Sequence, residues 1–478
     1  MAATFILLLA WALHSAAFGA DTRFHPDEAL YMTAARSAAI QGDWLLLSVP
    51  QDKPPLTMYL NALSIILFGA DTDAAGVLHL SAQQGEFAGR LVSMGAALVL
   101  VAIVMALARS LFHSRRAAWV AGLLIAMSPY VIAFGPTAFT DLPMTMFGMA
   151  SVLCAVQGRA NWAGLWGFLA LASKPQGLFF LPLVLLILWR MGPYKPFVAL
   201  IPWLIGGALL LSWDAVRVAQ GAIDVWTLGQ AHYASPALAT LSDWGPRFGR
   251  WLTYGQELFG PVLTLPLVAM ATWGSWHLLK HRASYNAVWC FVWVLGYSAV
   301  HILMTVPLYD RYLLPTAPLL AILASYTLVE LSHDTRWRRI YKVMLVLSMG
   351  LLLVYSARAA QHLLPIGGDH GQNQSIDELA DYLNDKAIAA VIYDPWLGWE
   401  LNYYLGPWTN KRRVHYPTPQ ALVKDALQLD ESGVRYFVAP SRLNIDDWLT
   451  VIEHAGFRSE HEAMIGNFVV VALTPPDH

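Results

Sequence analysis

The chain has 478 residues, 57% of them hydrophobic and only 13% charged, with a mean hydropathy of +0.47. That is too apolar for a soluble enzyme and fits a polytopic membrane protein. A net charge of −2 leaves no extended basic surface for nucleic acid. The two cysteines, Cys154 and Cys290, both fall in apolar runs, which argues against a disulfide framework or a Cys-based metal site.

Residues 2–20 open the chain as a short apolar run. They lack a basic leading segment, and Phe18 stands where a cleavage site would want a small residue, so we read a retained first helix. Further runs of spanning length lie near 87–108, 117–134, 141–157, 175–189, 197–213, 257–279, 285–306, 312–331 and 341–360, with a shorter one at 161–173. The run 54–69 is short and opens with two prolines. Basic connections at 109–116, 158–161, 190–195, 280–282 and 336–342 hold 12 Lys/Arg between them. Placing all five in the cytoplasm requires that 54–69 does not cross the membrane. The expectation is about eleven spans, with the N-terminus inside and the C-terminal region outside.

With that arrangement the remaining polar features converge on the outer face. In "HPDEALY", Asp27 and Glu28 open a helix headed by Pro26, where acids favour the helix dipole. The same Asp is a candidate general base for an acceptor hydroxyl, with Glu28 tuning it or binding the acceptor. Asp52 and Lys53 in "QDKPPL", Lys174 in "ASKPQG" and Arg311 in "YDRYLLP" follow. Each cation has the plain reading of an interfacial anchor, but three near one face suit an anionic lipid headgroup. Asp141 in "FTDLP" reads as a helix N-cap, with Thr140 able to share that role, and remains a candidate for contact with a sugar hydroxyl. The outer loop 214–256 brings His232, which with Asp52 forms a weak candidate pair for a divalent cation.

Beyond about 362 the pattern changes to short apolar strands alternating with amphipathic helices. Residues 363–478 are read as a small extracytoplasmic α/β domain after a Gly367-Gly368 linker, and 1–362 as the transmembrane domain. No glycine-rich phosphate loop or nucleophile elbow occurs there, which speaks against catalysis by that domain.

Taken in order, "HPDEALY", "DKPPLTMYLNALSIILFG", "EFAGRLVS", "TDLPMTMF", "ASKPQGLFFLP" and "RYLLPTAPLLAIL" make residues 1–360 resemble the GT-C glycosyltransferases. They are similar to family 39, the protein O-mannosyltransferase-like group, and to the lipid A aminoarabinose transferases. The resemblance implies a GT-C fold, a polyprenyl-phosphate sugar donor and an extracytoplasmic active site in a bacterial inner membrane. It implies Asp27 and Glu28 as the catalytic acids and Lys53, Asp141 and Arg311 as motif residues around the substrate. Asp52, Lys174 and Tyr31 complete the substrate-binding candidates. Leu30 stands where the lipid A enzymes carry Arg, and Asp52 where the motif carries Glu. The acceptor therefore stays open among lipid, polysaccharide and protein. No cofactor is required by this reading, although a divalent cation has a place in it. The rival is a transporter or flippase of a lipid-linked or anionic substrate, which would set its ionisable groups near the bilayer midplane in repeated halves. A catalytically silent scaffold for the C-terminal domain is the other.

Overall fold

A computed structural model describes residues 1–233, 236–333, 338–429 and 433–476. The chain divides into two compact units, each built from separate stretches of sequence. The first comprises residues 1–20, 45–61 and 89–368. The second comprises 21–44, 62–88 and 369–478, so two segments from the expected outer loop 21–86 group with the C-terminal region.

The first unit is helical. Among the described residues, four helices are long and apolar enough to cross a membrane: Ala82–Phe112, Lys195–Ala219, Tyr285–Leu303 and Lys342–Ala360. Shorter apolar helices include Ala2–Phe18, Leu56–Phe68 and Asp141–Val156. Four of the expected continuous runs are interrupted. The 257–279 run has a 3₁₀ turn Gln256–Leu258 ahead of Thr264–Lys280, and the 312–331 run a 3₁₀ turn Asp310–Leu313 ahead of Thr316–His333. In the other two a proline heads a new piece. The 117–134 run is a helix Arg115–Ala126 followed by Pro129–Phe134, with Ser128 capping the second piece. The 175–189 run begins as a 3₁₀ turn, Pro175–Phe179, before Phe180–Trp189. In each case Pro removes an N–H and forces the preceding residue out of helical geometry. The expected loop 214–256 also carries two helices, Val225–Tyr233 and Leu241–Gly255. Residues 336 and 337 of the basic stretch 336–342 lie outside the described residues.

The second unit contains a small hairpin, β1 (Asp71–Thr72) with β2 (Leu78–His79), and one mixed sheet. The sheet strands are β3 (Val391–Tyr393), β4 (Arg412–Val414), β5 (Arg435–Pro440), β6 (Arg458–Ile465) and β7 (Phe468–Thr474), in spatial order β4-β3-β5-β7-β6. β3 runs parallel to β4 and β5, while β7 is antiparallel to β5 and β6. Phe437, Val469 and Val471 from the sheet pack with Leu422 and Ile452 from the helices Pro419–Ala426 and Asp446–His454. Strand alternation supplies one face of that core and helical periodicity the other. Helix Pro26–Gln41 belongs to this unit as well.

Candidate active site

Prolines set the candidate residues of the first unit in place. Lys53 precedes Pro54 and Pro55, in a stretch without helical structure. Lys174 ends the helix Ala160–Ser173 with extended backbone (φ −160°, ψ 140°), which Pro175 demands of the residue before it. The chain then folds back so tightly that a Cβ on Gly177 would lie 2.2 Å from the Ala170 carbonyl carbon. Arg311 sits in the 3₁₀ turn Asp310–Leu313, where Asp310 accepts a hydrogen bond from the Arg311 N–H at 2.7 Å.

These residues form two charged clusters. In one, Lys174 Nζ lies 2.5 Å from Asp141 Oδ1, and Arg311 Nε lies 3.9 Å from Asp141 Oδ2. Lys174 and Asp141 are both buried, and the Lys174 ammonium also faces the Tyr312 ring, 4.5 Å from its centroid. The N-cap expectation for Asp141 is corrected: it is the first residue of its helix, its carboxylate turns to Lys174, and Thr140 caps without a side-chain bond. A buried charge needs a buried partner, and for the Asp141 carboxylate that partner is the Lys174 ammonium.

In the other cluster, Lys53 Nζ contacts Asp52 Oδ1 at 3.2 Å and donates to the Tyr233 hydroxyl at 2.6 Å. His232 Nδ1 lies 3.1 Å from Asp52 Oδ2. Burial alone would raise the Asp52 pKa, but the Lys53 charge and hydrogen bonds from His232, Tyr233 and Lys53 hold it below the usual carboxylate range. Asp52 is therefore an anion. Asp52 and His232 offer only two donors, and no group of three His, Cys, Asp or Glu suited to a metal occurs among the described residues. A cation bound there would need the rest of its ligand shell from substrate and water.

Asp52 and Lys53 open into a cavity of about 330 Å³ whose other walls include Gln176, Trp226, Tyr233 and Tyr312. Most of that wall is apolar, and Asp52, Lys53, Gln176, Gln230 and His301 are its polar members. Lys174, Asp141 and Arg311 do not line the cavity, so only part of the expected cation set faces it. A further pair escaped sequence reading. Arg217, held by Asp214 at 3.0 Å, donates to the Leu45 and Leu46 carbonyls on the approach to Asp52. Asp214 also accepts from the Val225 N–H, which begins the helix carrying His232 and Tyr233. One ion pair thus fixes both strands of chain that build the Lys53 cluster. An Asp and Arg three apart at a helix end were the available signal.

In the second unit, Asp27 and Glu28 open the helix Pro26–Gln41. Glu28 is buried and closes a capping box by accepting from the His25 N–H at 3.0 Å. The Asp27 N–H donates to His25 Nδ1, and the Asp27 residue is half-buried. The acids are thus divided in role: Glu28 serves its own helix end, while Asp27 is in the more accessible position. Tyr31 is buried, at 2% exposure, so its ring is not open to a ligand in this structure.

The model for dolichyl-phosphate-mannose-protein mannosyltransferases matches residues 52–216 of the chain. No curated protein matches the sequence. Among solved structures, ArnT from Cupriavidus metallidurans superposes in its apo state with a TM-score of 0.71 at 16% identity, covering 98% of this chain and 97% of that one. Its undecaprenyl phosphate complex gives a TM-score of 0.68, also at 16% identity, over 98% of this chain and 97% of that one. The archaeal oligosaccharyltransferase AglB from Archaeoglobus fulgidus, in complex with an inhibitory peptide and a dolichol-phosphate, gives 0.62 at 11% identity, covering 98% of this chain and 74% of that one. The fold is thus that of the GT-C superfamily, the group whose motifs the chain resembles.

Proposed function

We propose that the chain is a membrane glycosyltransferase that moves a sugar from a polyprenyl-phosphate donor to an acceptor hydroxyl, with inversion. The observation that carries this reading is a cavity lined by Asp52 and Lys53 whose wall is otherwise mostly apolar and aromatic. An anionic headgroup attached to an isoprenoid chain has that same division of polarity. The likeness to a structure bound to undecaprenyl phosphate supports the donor class.

In the proposed reaction the acceptor oxygen attacks the anomeric carbon as the bond from that carbon to the phosphate oxygen breaks. The acceptor proton passes to Asp27, and the electron pair leaves with the polyprenyl phosphate. Charge grows on the phosphate during bond cleavage, so the Lys53 ammonium favours the transition state over the ground state. Lys174 and Arg311, paired through Asp141, add positive potential. We place the active site on the extracytoplasmic face of a bacterial inner membrane, where the acceptor is a lipid, a polysaccharide or a protein.

Purified protein would be incubated with synthetic undecaprenyl-phosphate-linked mannose, glucose, galactose and 4-amino-4-deoxyarabinose, together with a cell-envelope extract supplying lipid, polysaccharide and protein acceptors, and donor consumption followed by mass spectrometry. Asp27→Asn should lower turnover of whichever donor is consumed roughly 10²–10⁴-fold while leaving its binding intact. Full turnover by that variant would remove Asp27 from the mechanism. A transporter would consume none of the four.

A further inference from the structure

The helix that carries Asp27 is held by side chains and carbonyls of the C-terminal region, all within the second unit. Three residues before Asp27, Phe24 has both of its backbone polar groups taken by that region. Its N–H donates to the Tyr404 hydroxyl at 2.8 Å, and its carbonyl accepts from Asn373 Nδ2 at 3.0 Å. The Phe24 ring meets Tyr403 edge-on, with centroids 4.9 Å apart. Along the helix, Arg36 donates to the Asn402 carbonyl at 3.0 Å and to the Tyr403 carbonyl. At the far end, Gln41 Nε2 donates to the Pro407 carbonyl at 2.9 Å.

The anchors on Phe24 are themselves anchored. The Tyr404 hydroxyl donates to Glu86 Oε1 at 2.5 Å, and Glu86 Oε2 meets Arg23 at 3.2 Å. Arg23 in turn pairs with Asp377 at 2.9 Å. The helix does not need these contacts for its own cap, because the His25–Glu28 box supplies that. What they add is a fixed position for the residues leading into Asp27.

We propose that the C-terminal α/β region is a positioning element for Asp27, acting through Tyr404 and Asn373 on the backbone of Phe24. This rests on the reading of Asp27 as the base. The region supplies no group to the chemistry; it sets where the carboxylate stands. Misplacement of a catalytic group by about 1 Å costs on the order of 100-fold in rate. Tyr404→Phe keeps the ring and removes both hydrogen bonds of the hydroxyl.

The test is a double-mutant cycle on the full-length protein, with the undecaprenyl-phosphate sugar that the wild type consumes as the probe. Tyr404→Phe should lower kcat roughly 10- to 100-fold with KM for the donor unchanged. In an Asp27→Asn background the same change should have no further effect on the residual rate. Equal losses in both backgrounds, or an unchanged kcat in a folded Tyr404→Phe protein, would overturn positioning while leaving the base assignment standing. Full activity of Asp27→Asn alone would instead remove the base assignment. Should Tyr404→Phe fail to fold, Asn373→Ser is read in the same cycle with the same outcomes.

Discussion

Each unit buries a network of charge, and the two networks differ in what they leave open. In the first unit Asp52, Lys53 and His232 end at a cavity, with Asp141, Lys174 and Arg311 packed as a second cluster. In the second, Arg23 joins Asp21, Glu86 and Asp377, and Tyr404 ties that group to the backbone of Phe24. The first network meets empty space with a cation; the second meets main chain with hydrogen-bond donors and acceptors. Buried charge therefore does not by itself mark chemistry. What separates binding from bracing is whether the last polar atom of the network faces a cavity or a peptide group.

The largest effect should come from Asp141. Removing it leaves Lys174 and Arg311 buried without the carboxylate between them, and breaking such a pair costs about 3–5 kcal/mol. Asp141→Ala should therefore lower the unfolding free energy by about that much in detergent. Pairing it with Lys174→Met should restore part of the loss, because the uncompensated ammonium is then gone. A single variant as stable as wild type would show that this cluster contributes little to the fold.

Lys53 sharpens the comparison from the other side, since it lines the cavity. Lys53→Met should lower kcat by roughly 10²–10³-fold, the usual loss when one donor to a developing anion is removed. Lys53→Arg should recover part of it. In the second network Arg23 faces no phosphate by our reading, so Arg23→Met should act on stability before rate. If Lys53→Met lost stability and kept its kcat, the division between the two networks would fail.

Much of the fold was legible in the sequence, for local reasons. Apolar run length marked the helices, and short apolar runs set between amphipathic helices marked β3, β5 and β7. The strand β6 was not, because "RSEHEAMI" is largely polar and exposed, as an edge strand can be. The site was legible only as a set of residue types. That Asp141 would turn from its own helix end to Lys174, 33 positions on, is not a property of "FTDLP". Nor does anything near Phe24 announce a hydrogen bond to Tyr404, 380 residues away. Local rules of capping and amphipathicity see a few neighbours, whereas charge in a buried site is decided by whatever the fold brings to it.

The smallest effect concerns Glu400, which is 3% exposed and lies between Asn373 and the rest of the C-terminal region. Burial raises its pKa from 4.5 to about 7, with Asp369 and Asp394 adding to the rise and the Asn373 hydrogen bond opposing it. Asp394 is likewise pushed up to about 6 by burial, against the pull of Arg413. The unfolded chain releases the Glu400 proton near 4.5, while the folded one keeps it until about 7. Between those values the folded state binds more protons, so stability falls as pH rises through that window and then levels. Glu400→Gln removes the charge and keeps an acceptor for Asn373. It should be near neutral below pH 4.5 and stabilising above pH 7, by at most about 3 kcal/mol and by less where Asn373 adjusts poorly. Hydrogen exchange of the β5 and β7 amides, compared between variant and wild type at each pH, reads this directly. A difference of the same size at pH 4.5 and pH 8 would mean that Glu400 keeps one charge state throughout, and that the second network holds ionised groups as firmly as the first.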